Sequence, residues 1–200
     1  MDAFLLRAPP TPWGDYGGVL VHGMSAHLPA TADGHIQLER VGPFMPPVTF
    51  PAWNVVISEL TRQGIVRAGL VGVTFRDVSK ARIVALDWQP WDRESRLPPY
   101  VPPSGAPEDY VLDRPHDPAT ALAIGPVWEV SGPTVGSGTR ERLSKRPRAY
   151  RTTITLPESV GADFFRVSGV RHLLVSRTAR QWLEAAVGDW VDFEAVEVVA

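Results

Sequence analysis

Cysteine is absent from the 200-residue chain, which excludes disulfide staples, thiolate metal sites and thiol nucleophiles together. An excess of either charge is also missing: 20 basic residues stand against 22 acidic ones, a formal net charge of −2. That balance argues against a dedicated nucleic-acid binder, which carries a basic excess over its whole domain. No stretch approaches the ~20 consecutive apolar residues needed to span a bilayer. The amino terminus has only a short apolar patch, Ala3 to Leu6, closed by Pro9 and Pro10. It lacks the basic start and longer apolar run of a signal peptide. The expected compartment is the cytoplasm, with no membrane partner.

What is present is ordinary globular material, 44% apolar and 21% charged. Seven tryptophans add large packing units, each able to bury roughly 200 Å². Proline is unevenly spread. Ten of the twenty fall between Pro98 and Pro147, so that span is expected to be mostly irregular.

The most informative pattern is self-similarity. Val55 to Val78 (VVISELTRQGIVRAGLVGVTFRDV) aligns without a gap with Leu173 to Val196 (LLVSRTARQWLEAAVGDWVDFEAV), at an offset of 118. Seven of the 24 positions are identical, among them Ser58/Ser176, Arg62/Arg180, Gln63/Gln181 and Phe75/Phe193. Each segment reads as a short β-rich run, a serine suited to cap a helix, the helix, and a closing alternating strand. In the second, Ala179, Trp182, Leu183, Ala186 and Val187 form one apolar helical face. In the first that face reads Thr61, Gly64, Ile65, Ala68 and Gly69, which permits closer packing. One such unit leaves a sheet face uncovered, so the two are expected to share a core. The structural positions are then Ser58, Phe75, Ser176, Trp182 and Phe193. Arg82 to Trp88 reads as a further strand, pairing with Val71 to Asp77 as a hairpin around Val78–Ala81. Asp117 caps a short helix with Pro118 at its first position.

The search for chemistry finds fragments. His22, His27 and His35 are spaced by five and eight, matching neither a helical pair nor a common zinc pattern, and read as polar loop histidines. The phrase Asp87-Trp88-Gln89-Pro90-Trp91-Asp92 offers two carboxylates and two indoles at a strand end. It suits either a binding patch or, with His116, an acid/base group of a small hydrolase. Arg140 to Arg151 holds six basic residues against one glutamate, including Arg140 and Arg142. This segment is a solvated linker or the contact surface of a regulatory adaptor. No nucleophile, base and oxyanion hole assemble, and neither a cofactor cradle nor a metal set is evident.

Two stretches carry a family resemblance: Val41 to Glu59 (VGPFMPPVTFPAWNVVISE), and Gly161 to Ala186 followed by VDFEAVEV. They resemble the bacterial polymorphic-toxin immunity proteins related to the double-CxxCG-motif family. The matching phrases are Asp163-Phe164-Phe165-Arg166, the helix start at Ser176 and the final strand at Phe193. The paired cysteine knuckles of those relatives are absent here, so no zinc role carries over. The resemblance implies a non-catalytic inhibitor that binds and blocks a cognate protein toxin. The expectation is an α/β (α+β) protein with an N-terminal half over 1–97, a proline-rich connection over 98–151 and a second repeat within 152–200. Asp87, Trp88, Trp91, Asp92, Arg140 and Arg142 are its candidate partner-binding residues, with the proline-rich span after Asp92 as an alternative patch.

Overall fold

The computed structural model describes residues 2–144 and 149–199. In chain order the first elements are β1 (Ala3–Arg7), α1 (Asp15–Gly17) running into a π turn (Gly18–His22), β2 (Gln37–Gly42), β3 (Val48–Thr49) and β4 (Val55–Ser58). Then come α2 (Glu59–Arg67), β5 (Thr74–Asp77), β6 (Ser79–Ala85), α3 (Asp109–Leu112), α4 (Pro118–Ile124) and β7 (Val127–Ser131). The last are β8 (Thr134–Ser144), β9 (Ala149–Thr155), β10 (Phe164–Ser168), β11 (Leu174–Ser176), α5 (Arg177–Val187), β12 (Asp192–Ala195) and β13 (Glu197–Val199). The fold is mixed α+β, with strands outweighing helices.

Two compact units result, and the division is not linear. A barrel unit takes Met1–Ala8, Gln63–Phe75 and Val130–Ala200, and an aromatic unit takes Pro9–Arg62 and Arg76–Glu129. The barrel unit holds a seven-stranded sheet in the order β12-β1-β11-β10-β8-β9-β13. Only Val196 separates β12 from β13, so one stretch of chain supplies both edges and the sheet nearly closes on itself. Leu5, Ile154, Phe165, Val167 and Leu174 fill its interior. β1 is buried along nearly its whole length because α5 packs against it.

The sequence of α5 accounts for that packing. Ser176 ends β11 in extended geometry, and its Oγ accepts the Ala179 N–H at 3.1 Å. Ala179, Leu183 and Val187 recur at four-residue spacing and are buried, and Gly188, at φ 55°, ends the helix. Gly64 has no side chain where a Cβ would lie 2.8 Å from the Trp182 ring. Its bareness therefore makes room for the indole.

The strand–helix–strand succession does recur, as β4-α2-β5 and β11-α5-β12, and Ser58 Oγ accepts the Thr61 N–H at 3.3 Å as Ser176 does for Ala179. The two segments are nonetheless distributed over different sheets. β4 and β5 belong to a four-stranded sheet, β3-β4-β7-β5, and a repeat built around one shared core is not confirmed. The hairpin expected at Val78–Ala81 is not formed either. β6 pairs in parallel with β2, from Gln37 opposite Ser79 to Gly42 opposite Ala85. The connection over 98–151 contains α3, α4, β7, β8 and the start of β9, and its first residues continue an irregular run that spans 86–108.

Charged side chains lace the barrel, both across paired strands and from β8 to β12, which is not its neighbour in the sheet. Arg140 of β8 donates to both oxygens of Glu194 on β12, at 2.5 and 3.0 Å, and to Thr152 of β9 at 2.5 Å. Arg7 of β1 also donates to Glu194, and to Asp192 at 2.6 Å. Partial burial pushes the Glu194 carboxyl up, but Arg140 and Arg7 outweigh it and hold the group below the usual carboxylate range. Its stabilisation is therefore present above the unfolded carboxylate pKa and lost as pH falls through the depressed folded value. Glu194→Gln is expected to lower stability at pH 7 by about 1–2 kcal/mol. The difference should shrink toward zero in acid, measured by urea unfolding at a series of pH values.

Candidate functional site

The residues of 86–108 cannot satisfy themselves through a helix or sheet ladder, and the aromatic unit holds them by side chains instead. Trp88 is the anchor. It is only 1% exposed and packs edge-on against Phe44 at 5.5 Å and Trp13 at 6.5 Å between ring centroids. The Arg93 guanidinium lies 5.2 Å from its ring. Trp91, half-buried, meets Trp13 at 5.9 Å and Tyr110 at 5.8 Å. Tyr110, fully buried, meets Tyr16 and Tyr100, each at 6.0 Å. Burial, with Tyr16 beside it, pushes the Tyr110 phenol up to about 12.

Backbone ties complete the frame. Trp13 Nε1 donates to the Asp92 carbonyl at 3.1 Å, and Tyr16 Oη donates to the Gly105 carbonyl at 2.6 Å. Pro98 and Pro102 are buried, whereas Leu97, Tyr100 and Val101 are 47%, 46% and 43% exposed. Arg93, Glu94 and Arg96, just before them in the chain, are exposed as well. The outcome is an irregular loop whose underside is fixed by aromatic packing and whose exposed side chains are both apolar and charged.

The sequence-chosen patch divides accordingly. Trp88 is core and presents no ring surface to a partner, although it and Trp91 read alike in the sequence. Asp87 Oδ1 accepts the Gln89 N–H and Asp92 Oδ1 accepts the Glu94 N–H, both at 3.0 Å, as local turn bonds. His116 Nδ1 accepts the Ile83 N–H at 3.0 Å, and Asp117 caps α4 through Ala119 at 2.9 Å. No hydrogen bond joins Asp87 or Asp92 to His116 among the described residues. Arg140 is committed to Glu194 and Thr152, and its guanidinium lies 4.7 Å from the Tyr150 ring. Arg142 is exposed and donates to the Ser144 carbonyl at 3.2 Å. Residues 145–148 of the basic segment lie outside the described residues. Leu97, Tyr100 and Val101 were not singled out by sequence; apolar residues inside a proline-dense stretch without periodicity were the available signal.

Beneath this surface sits a charged group with no carboxylate partner among the described residues. Arg40 is fully buried and donates to the carbonyls of Val41 at 2.9 Å, Phe44 at 3.3 Å and Val21 at 3.4 Å. Burial lowers its pKa to about 9. Its hold on the Phe44 backbone fixes the ring that supports Trp88. The histidines expected in loops take separate roles. His22 is 6% exposed, His27 Nδ1 lies 2.8 Å from the buried Glu39, and His35 Nδ1 lies 2.7 Å from the Asp77 carbonyl. Among the described residues no group of three metal-type side chains converges, and no helix is long and apolar enough to cross a membrane. No protein-family model matches the chain, and no curated protein matches it significantly.

His22 makes the fold acid-sensitive. Burial first, and Arg40 second, lower its pKa from 6.5 to about 4. Between those values the unfolded chain binds a proton that the folded chain refuses, so stability falls as pH falls from 6.5 toward 4. The loss attributable to His22 is roughly 3 kcal/mol. His22→Gln should reduce the pH dependence of the unfolding free energy over this interval by that amount. Identical slopes in the two proteins would contradict it.

Proposed function

We propose that this protein is a non-catalytic binder that neutralises a bacterial toxin in the cytoplasm, and that the surface on 86–108 is what it presents to that toxin. The observation carrying the reading is the exposed face of Leu97, Tyr100 and Val101 held on a buried aromatic base. Interfaces concentrate their binding energy in aromatic and arginine side chains on preformed supports, because a fixed loop loses little entropy on association. Here the aromatic is Tyr100, with Arg114 5.5 Å from its ring, and the exposed charges nearby in the chain are Arg93, Glu94 and Arg96. The resemblance to toxin-immunity proteins names the partner class. Asp87 and Asp92 contribute as turn-formers that shape the loop, and Trp91 as the layer between the base and the surface.

The test is co-expression with toxin-like products of neighbouring genes, scored by survival and then by co-purification. With the toxin that is rescued, Tyr100→Ala should weaken binding by roughly tenfold, about 1–2 kcal/mol, in titration calorimetry. The thermal midpoint should fall only slightly, because the ring is half exposed and its packing on Tyr110 is one contact among several. Full affinity for both Tyr100→Ala and Trp91→Ala would remove this surface from the account.

A further inference from the structure

The barrel sheet closes at a single residue. Up to Ala195 the last strand lies on β1, and from Glu197 it lies on β9. Val196 makes the change with its N–H on the Ala3 carbonyl at 3.2 Å. Two openings follow from that switch. Opposite β12, the first half of β9 pairs with β8 on one side and with no strand on its other side among the described residues, and Arg140, Thr152 and Glu194 meet there. Opposite β13, the start of β1 has diverged, and the space is an open groove of about 900 Å³.

Leu156, Val196, Val198 and Val199 line this groove, and Val198 and Val199 are 39% and 37% exposed. Its rim carries Asp2, Glu158 and Arg177. Arg177 is already paired with Asp2. Glu158, and Glu197 on β13 itself, are exposed and have no cation among the described residues. The second edge of β13 pairs with no strand among the described residues.

We propose that this groove is a docking site for an extended segment of a partner protein that alternates apolar and basic side chains and adds to β13 as a further strand. An open strand edge offers backbone donors and acceptors, and the valine-lined floor accepts alternate side chains. The unmatched carboxylates of Glu158, at the groove, and Glu197, on β13 itself, select basic residues in the added segment. A second copy of this chain suits the edge poorly. Its own strand reads DFEAVEVV, and pairing two copies would bring Glu197 against like charge. This site is separate from the surface on 86–108 and does not rest on the toxin reading.

The experiment titrates the full chain into two labelled peptides, one alternating Lys and Val, the other Glu and Val, followed by fluorescence anisotropy. The Lys–Val peptide should bind at least tenfold more tightly, and added salt should weaken it. Val198→Asp should reduce its affinity about tenfold. Glu158→Gln should reduce it about threefold while leaving the melting temperature unchanged, so loss of fold is not the cause. No binding, equal binding of both peptides, or indifference to Glu158→Gln would overturn the proposal. So would a concentration-dependent dimer abolished by Val198→Asp, which would assign the groove to a second copy.

Discussion

Burial of one indole, Trp88, is the constraint on which the candidate surface depends. A stretch such as 86–108 has no ladder of its own, and its prolines remove backbone donors that could have made one. Its conformation is instead set by rings: Trp88 among Phe44 and Trp13, then Trp91 and Tyr110 above, then Tyr100 at the surface. Arg40 belongs to the same frame. A guanidinium sealed from water and facing main-chain carbonyls is tolerated only where its geometry is fixed, and it fixes Phe44 in return.

The barrel unit solves a different problem. Its final strand is shared between two edges, so neither edge gains a full-length partner. On one side Arg140 bridges to Glu194 in place of a ladder, and Arg7 of the paired strand β1 holds the same carboxylate. On the other the edge stays open, over Val198 and Val199. The same partner switch at Val196 thus explains both the charge cluster and the groove.

Local features were the legible ones. The cap at Ser176, the buried stripe Ala179, Leu183 and Val187, and the cap at Asp117 before Pro118 all follow from contacts within a turn or two of helix. Pairings set by distant chain were not legible. Nothing in Arg82 to Trp88 announces that β6 would run parallel to β2 rather than fold back on β5, because both arrangements satisfy the same apolar alternation. Arg140 read as a solvated charge since its partner, Glu194, is remote in sequence. Trp88 and Trp91 share one phrase, yet one is core and the other half-exposed. Which ring turns inward is decided by Phe44 and Trp13, and those neighbours are visible only in the fold.

The most direct measurement is amide hydrogen exchange on the chain alone and in complex with the toxin that it rescues in co-expression. The account predicts that exchange slows on binding across 93–105, around Leu97, Tyr100 and Val101. Unchanged exchange there, with protection confined to other segments, would contradict the claim that this aromatic-backed loop is the binding surface.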